Sequence, residues 1–273
     1  MGRSRRPSIR GFRRIVYGYF ERHGRSLPWR ATRDPYRIAV SEVMLQQTQV
    51  PRVIAKYREF IRRFPTVQAL ARAPLSSVLE TWQGLGYNRR ALSLKRLAET
   101  VARDYQGRIP ADRARLRGLP GIGEATSGAM CAFAFNMPEV FIETNIRSVF
   151  IHHFFPGARS VSDAQLLPLV EQALDRQNPR MWYSALMDYG VHLKETFPNP
   201  SRKSRHYTRQ SRFQGSDRQV RAQIVRMLLK EPATVRCLEK AVAVDRQRLR
   251  RIIAALVKDR LIFEKKRALA IAE

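Results

Sequence analysis

Residues 117–145 constrain the fold of this chain more than any other stretch. They hold a turn, Leu119-Pro120-Gly121-Ile122-Gly123, between Leu116 and a run of small residues, Ala125, Thr126, Ser127, Gly128 and Ala129, and they end on Phe141-Ile142-Glu143-Thr144-Asn145. Pro120 fixes one backbone dihedral, and Gly121 and Gly123 are expected to supply the positive φ and close approach that a Cβ forbids. Such a turn aims bare N–H groups outward. A helix beginning near Glu124 adds unpaired amides and the positive end of its dipole, so the junction suits a phosphate. The alternative is a plain tight turn between two packed helices.

Charge favours the phosphate. Lys and Arg number 51 against 23 Asp and Glu, a formal +28 spread along the whole chain, and a polyanion is the expected partner, with solubility or ribosome association as alternatives. At 273 residues and 44% apolar composition, two folded domains and a small third are within reach. Cys131 and Cys237 are too few for a disulfide framework or a four-cysteine metal site, and His152 and His153 are adjacent rather than one helical turn apart, so no metal site is expected. No apolar run approaches the roughly 18 residues that span a bilayer. A cytoplasmic location without a membrane partner is therefore expected, beside the nucleoid in a prokaryote. The start, MGRSRRPSIRGFRR, has the arginine-rich, acid-free character of a transit peptide, whereas the apolar spacing from Phe12 reads as part of the fold.

Helical spacing recurs over residues 11–23, 36–47, 53–64, 67–72, 75–85, 89–105, 146–155, 162–174 and 181–193. In the second of these, Ile38, Glu42 and Leu45 share a face, which gives Glu42 an apolar setting that raises its pKa and suits a general acid. The other reading is a buried glutamate satisfied by an amide or an arginine. Gln46 and Gln47 either reach into a duplex or cap the helix end. Tyr87 follows Gly84-Leu85-Gly86, on a turn where its ring either wedges between bases or packs as an ordinary tyrosine. Arg89, Arg90, Lys95 and Arg96 form an expected phosphate-facing edge. Glu143 precedes a helix that Thr144 or Asn145 is expected to cap, and the helix dipole is expected to lower its pKa. Two carboxyls pushed in opposite directions suit an acid and an anionic partner; a plain helix-terminal charge is the alternative for Glu143.

Residues 194–212 carry six basic side chains against Glu195 and read as an extended basic arm. Beyond it, three helical patterns and two short strand patterns, 261–263 and 268–271, suggest a winged helix, whose third helix offers Arg246, Arg248, Arg250 and Arg251 to phosphates or serves a protein contact.

LPWR at 27–30, SEVMLQQTQV at 41–50, GLGY at 84–87, LPGIG at 119–123, IETN at 142–145 and MDYG at 187–190 occur in this order. Together they closely resemble the helix-hairpin-helix DNA glycosylases, most of all the adenine glycosylases of the MutY type, over residues 12–193. The resemblance implies an all-α, two-lobed fold, here with a small C-terminal winged-helix-like domain. The expected divisions are an N-terminal helix in 1–27, a six-helix barrel lobe with the hairpin in 28–140, a second lobe and basic arm in 141–211, and the winged-helix-like domain in 212–273. It further implies that Glu42 protonates the leaving base and that the carboxylate at Glu143 stabilises the sugar cation. Gln46, Gln47, Tyr87 and Asn145 would contact the duplex around the flipped nucleotide; beside the resemblance, the turn geometry puts Gly121 and Gly123 on the DNA backbone, and the winged-helix pattern adds Arg246 and Arg250.

Three departures from the family stand in the sequence. Glu143 replaces an aspartate, Lys194 stands where the first of four cysteines of an iron-sulfur cluster would fall, and a winged-helix pattern replaces the Nudix-like domain that checks for 8-oxoguanine. The expectation is a monomeric, monofunctional glycosylase without a cofactor, acting on double-stranded DNA with a mispaired or damaged base. Adenine opposite 8-oxoguanine or guanine is the expected target; a thymine or uracil mismatch glycosylase and a non-catalytic damage-binding protein are the alternatives.

Overall fold

In a computed structural model describing residues 6–273, the apolar spacings become helices almost throughout. They are α1 (Ile9–His23), α2 (Pro35–Leu45), α3 (Val50–Arg63), α4 (Val67–Arg72), α5 (Leu75–Trp82), α6 (Arg89–Asp104), α7 (Arg113–Arg117), α8 (Glu124–Phe135), α9 (Thr144–Phe154), α10 (Asp163–Ala173) and α11 (Pro179–Thr196). The C-terminal part adds α12 (Asp217–Leu228), β1 (Ala233–Thr234), α13 (Val235–Ala241), α14 (Arg246–Lys258), β2 (Ile262–Lys265) and β3 (Ala268–Ile271). The all-α class with a small C-terminal part of three helices and a hairpin agrees with the sequence reading; β1 is the addition. The first residues of the arginine-rich start lie outside the described residues.

The chain packs as two units. One comprises the described residues up to Ile38 with Ala111–Arg117 and Ile122–Arg209; the other comprises Ala39–Pro110, Gly118–Gly121 and Gln210–Glu273. These units cut across the divisions expected from the motifs, since residues 28–38 fall in the first and 212–273 share the second with 39–110.

The first unit is built on one apolar core shared by α1, α8, α9, α10 and α11. Phe12 is fully buried, with its ring 5.0 Å from Phe150, 5.0 Å from Phe154 and 5.9 Å from Trp182. Each such side chain contributes about 1.5–3 kcal/mol by leaving water. Ser8 starts α1 by accepting from Gly11 N at 3.2 Å. Asp188 of α11 is buried and takes Arg25 at 2.6 Å and Arg30 at 2.8 Å. Burial pushes its carboxyl up, but the Arg30 side-chain hydrogen bond, the Arg25 amide, the Arg30 charge and the Arg25 side-chain hydrogen bond outweigh that and hold it below the ordinary value.

The reading of residues 194–212 as an extended arm does not hold for its first half. The helix α11 runs through Lys194 to Thr196, and Pro200–Lys203 forms a 3-10 turn whose Ser201 N and Oγ both donate to Asn199 Oδ1, at 3.0 and 2.7 Å. The chain then lies beside Val161, with Val161 N donating to Lys203 O at 2.8 Å and Arg205 N to Val161 O at 3.0 Å. Proline, asparagine and serine supply fixed dihedrals and local hydrogen bonds, so little apolar content is needed to order the backbone. Residues 207–212 lack regular structure and are exposed, as an arm would be.

In the second unit α4 and α5 pack on α6, and α3 on α5, with the Phe60 and Trp82 rings 5.9 Å apart edge to face. The C-terminal strands form an antiparallel sheet in the order β1-β3-β2, Ile262 opposite Ile271 and Ala233 opposite Leu269, packed against α12 and α14. Asp259, at the end of α14, takes both Arg221 of α12 and Arg89 of α6, the latter at 3.4 Å.

Candidate functional site

Glu143 is itself the N-cap of α9. Its backbone is extended, and Oε1 accepts from Asn145 N at 2.5 Å and Ile146 N at 2.8 Å, while Asn145 Nδ2 donates to Oε2 at 3.2 Å. The expected caps, Thr144 and Asn145, lie inside the first turn, because a carboxylate placed before the helix meets the amides of the second and third residues after it. The expected pKa direction is also corrected. Burial raises the Glu143 carboxyl above its ordinary value, outweighing the Ile146 amide, the Lys194 charge, the Asn145 amide and the Arg147 charge, each of which lowers it. Lys194 feels the same pairing in reverse: burial lowers its pKa and Glu143 raises it. Gly190 permits this proximity, since a Cβ there would stand 2.6 Å from Asn145 Cβ and 2.7 Å from its carbonyl oxygen. Asn145 Oδ1 is buried without a hydrogen-bond partner among the described residues.

Glu42 lies in the second unit, part-exposed on α2 between the buried Ser41 and Val43. Of its expected face, Ile38 is buried and Leu45 part-exposed. The helix stops at Leu45 rather than 47, with exposed Gln47 at φ +55 in the left-handed region. Arg90 is what holds that end. Its Nη1 donates towards the carbonyls of Val43 (2.9 Å), Met44 (2.8 Å) and Gln46 (2.6 Å), and its Nη2 faces Thr48 Oγ1 (3.0 Å), Leu85 O (3.1 Å) and Gly86 O (3.1 Å). One guanidinium thus satisfies the orphan carbonyls of a helix end and ties them to the loop before α6.

Arg90 is buried, and burial lowers its pKa to about 10. The expected phosphate-facing edge is therefore corrected: Arg90 points inward, and so does Lys95, which is buried and bonds Ala71 O at 3.2 Å and Glu99 at 2.7 Å. The signal was present, because Arg90, Leu94, Leu97 and Val101 share one helical face.

Tyr87 has a left-handed backbone, φ +49, after Gly84 at +92 and Gly86 at +71. Its ring lies 5.5 Å from Arg90 Cζ and 5.0 Å from Arg218 Cζ. Gln46 Nε2 donates to Gly121 O at 3.4 Å, which brings the end of α2 to the turn at 118–121. Gly121 has φ +82, and a Cβ there would meet Ser93 Cβ at 2.7 Å, so both conformation and space demand glycine. Gly123 departs from the expectation. It is extended at φ −95, ψ −173 as the N-cap of α8, and its α-carbon faces open space, so its use is to leave the approach to the first amides of α8 bare.

Among the C-terminal arginines, Arg248 and Arg251 pair with Asp217 at 2.8 and 3.0 Å. Arg250 is exposed, and Arg246 is 80% exposed with Glu239 3.6 Å away.

An iron-sulfur cluster does not fit this donor set. Such clusters take four cysteine thiolates, whereas here Cys131 is buried on α8 in the first unit, its thiol pushed up to about 11 by burial, and Cys237 is exposed on α13 in the second. No group of His, Cys, Asp and Glu among the described residues is arranged for a metal ion. His153 is held neutral, burial lowering it to about 4, with Nε2 2.9 Å from Tyr189 Oη. No helix among the described residues is long and apolar enough to cross a membrane.

Residues 40–175 match the model of the HhH-GPD superfamily, base excision DNA repair proteins. The adenine DNA glycosylase of Mycobacterium tuberculosis is 32% identical over 291 residues, covering 94% of this chain and 93% of that protein. That of Buchnera aphidicola (Baizongia pistaciae) is 35% identical over 182 residues, 66% of this chain and 52% of its own length, so the chain spans about half of that relative. Among solved structures, a thermostable thymine-DNA glycosylase is similar with a TM-score of 0.60 and 27% identity, over 67% of this chain and 86% of that one. A trapped endonuclease III–DNA covalent intermediate has a TM-score of 0.57 at 17% identity, over 68% of this chain and 87% of that one, a likeness of fold.

Proposed function

Because the chain belongs to the HhH-GPD superfamily of base excision DNA repair proteins, we propose that it is a DNA glycosylase that hydrolyses the N-glycosidic bond of adenine mispaired with 8-oxoguanine or guanine in duplex DNA. The near full-length similarity to the mycobacterial adenine DNA glycosylase carries this reading. A base inside a stacked duplex is out of reach, so the nucleotide must be flipped at a cost of a few kcal/mol, offset by phosphate contacts and an inserted side chain. The bare amides after Gly123 and the turn at Gly121 suit the phosphates, Tyr87 with Gln46 and Gln47 suits the gap, and Arg246 and Arg250 suit a further stretch of backbone.

In this mechanism Glu42 gives its proton to the departing base as the C1′–N bond breaks. Glu143, ionised, stabilises the sugar cation and takes a proton from the water that adds to C1′. The two capping amides and the Lys194 and Arg147 charges favour that anion, opposing the burial that raises its pKa without outweighing it. Asn145, donating to Oε2, holds the carboxylate in one orientation. Ala125 stands where strand-cleaving relatives place a Schiff-base lysine, so the product is an intact abasic strand. The protein acts as a monomer, without a cofactor, in a cytoplasm beside the nucleoid.

A second reading, a thymine or uracil mismatch glycosylase, is favoured by the similarity to the thymine-DNA glycosylase structure. Incubation with duplexes carrying A:8-oxoG, A:G, T:G, U:G and hypoxanthine:T separates them. Adenine release is expected; release of pyrimidine alone supports the second reading, and release of no base overturns both.

A further inference from the structure

The left-handed backbone of Tyr87 is uncommon for a bulky side chain and persists only where the surroundings hold it. Here Arg90 lies 5.5 Å from the ring, and the remaining support at the ring and hydroxyl comes from far along the chain. Gln210 Nε2 and Arg218 Nη1 both donate to Tyr87 Oη, at 2.6 and 2.8 Å, and the Arg218 guanidinium lies 5.0 Å from the ring centroid, within cation–π range. Arg218 is held in turn. Its Nη2 donates to Ser211 O at 2.5 Å, and it sits in the first turn of α12, which Arg221 fastens to Asp259. Asp259 also takes Arg89, two residues after Tyr87, at 3.4 Å. The Tyr87 loop and the start of α12 are thus joined at a hydroxyl and a ring face, and Arg89 ties the loop to the end of α14 by an ion pair.

We infer that Arg218 is a positioning residue for Tyr87, so that the C-terminal residues 210–273 take part in extruding the base rather than only adding affinity for DNA. The inference rests on the glycosylase reading above, in which Tyr87 fills the gap in the stack. A ring fixed before contact loses less conformational freedom on insertion, which lowers the cost of unstacking. The guanidinium that fixes it is also a cation placed beside the wedge, where flanking phosphates arrive, so binding DNA does not oppose the arrangement.

The test uses the full chain and a duplex with 2-aminopurine as the target base, whose fluorescence rises on unstacking, alongside single-turnover release of adenine. Arg218→Ala is expected to lower both extrusion and base release about tenfold, the scale of one charged hydrogen bond, while duplex Kd shifts by less than about threefold if binding and extrusion are separable. Arg218→Lys is expected to restore little, because an ammonium lacks the planar stacking group. In a Tyr87→Ala background, Arg218→Ala should have no further effect. Melting temperatures identify loss of fold independently, and Gln210→Ala provides a milder variant should Arg218→Ala unfold. Wild-type extrusion in Arg218→Ala, faster extrusion, or fully additive losses with Tyr87→Ala would each overturn the inference. A wild type that extrudes the base but releases none defeats the glycosylase reading and leaves Arg218 measurable; a wild type that extrudes none defeats both.

Discussion

Replacing Glu143 by glutamine removes a charge and little else. Oε1 takes the amides of Asn145 and Ile146 at 2.5 and 2.8 Å, and a glutamine carbonyl can accept both. The loss falls on Oε2, to which Asn145 Nδ2 donates at 3.2 Å. In the variant two NH2 groups face each other until the Asn145 amide turns to present Oδ1, the atom that has no partner among the described residues. One hydrogen bond is then exchanged for another, and that exchange by itself should change stability by no more than about 1 kcal/mol. Chemistry should fall at least ~100-fold, because the missing charge matters only while the sugar is cationic. The pH dependence gives an independent check. Burial raises the folded-state pKa, so the stability contributed by the neutral acid is complete below the unfolded value and is lost as pH rises through the folded one. Glutamine does not ionise, so the stability difference should move in its favour as pH rises above the ordinary carboxylate range, read by comparing an assay at about pH 4 with one at about pH 7. Single-turnover adenine release and thermal melts at both pH values measure the two effects. Full base release by Glu143→Gln, or a melting difference that moves the other way, refutes the reasoning.

Arg90→Leu leaves a helix end and a loop with unpaired carbonyls and should destabilise by at least about 1–3 kcal/mol, and Arg90→Lys by at least about 1 kcal/mol because a point charge cannot serve both sets; a urea midpoint unchanged in both would remove Arg90 from its bracing role. The purified protein should be colourless, and a brown preparation with about four irons per chain would contradict the misfit of its two cysteines. Borohydride should trap no covalent adduct with substrate duplex, since Ala125 offers no amine; a trapped adduct would assign strand cleavage to another lysine.

Local chemistry explains which parts of the site were legible in the sequence. The turn at 119–123 announced itself through proline and glycine, and Gly121 needs the positive φ expected of it, but Gly123 does not, because capping α8 requires only an extended backbone. Glu143 was visible as a carboxylate before a helix. Its raised pKa was not, since burial depends on how far α11 closes over the first turn of α9 at Gly190, whereas its capping role rests on the local amides of Asn145 and Ile146. Arg90 looked like one more surface cation in a chain rich in them; its acceptors lie on residues 43–48 and 85–86, a pairing that charge counting does not see. The 3-10 turn at Pro200–Lys203 escaped for a related reason, its order coming from Asn199 and Val161 rather than from apolar spacing.

That turn changes what the protein needs in order to mature. In a chain that relies on a metal cluster at such a position, folding waits on iron, sulfide and the machinery that delivers them, and the finished joint remains open to oxidants. Residues 199–205 are fastened instead by amides, a carboxamide and hydroxyls already present in the polypeptide. This segment is therefore held by contacts within the polypeptide, and it offers no thiolate for peroxide to attack.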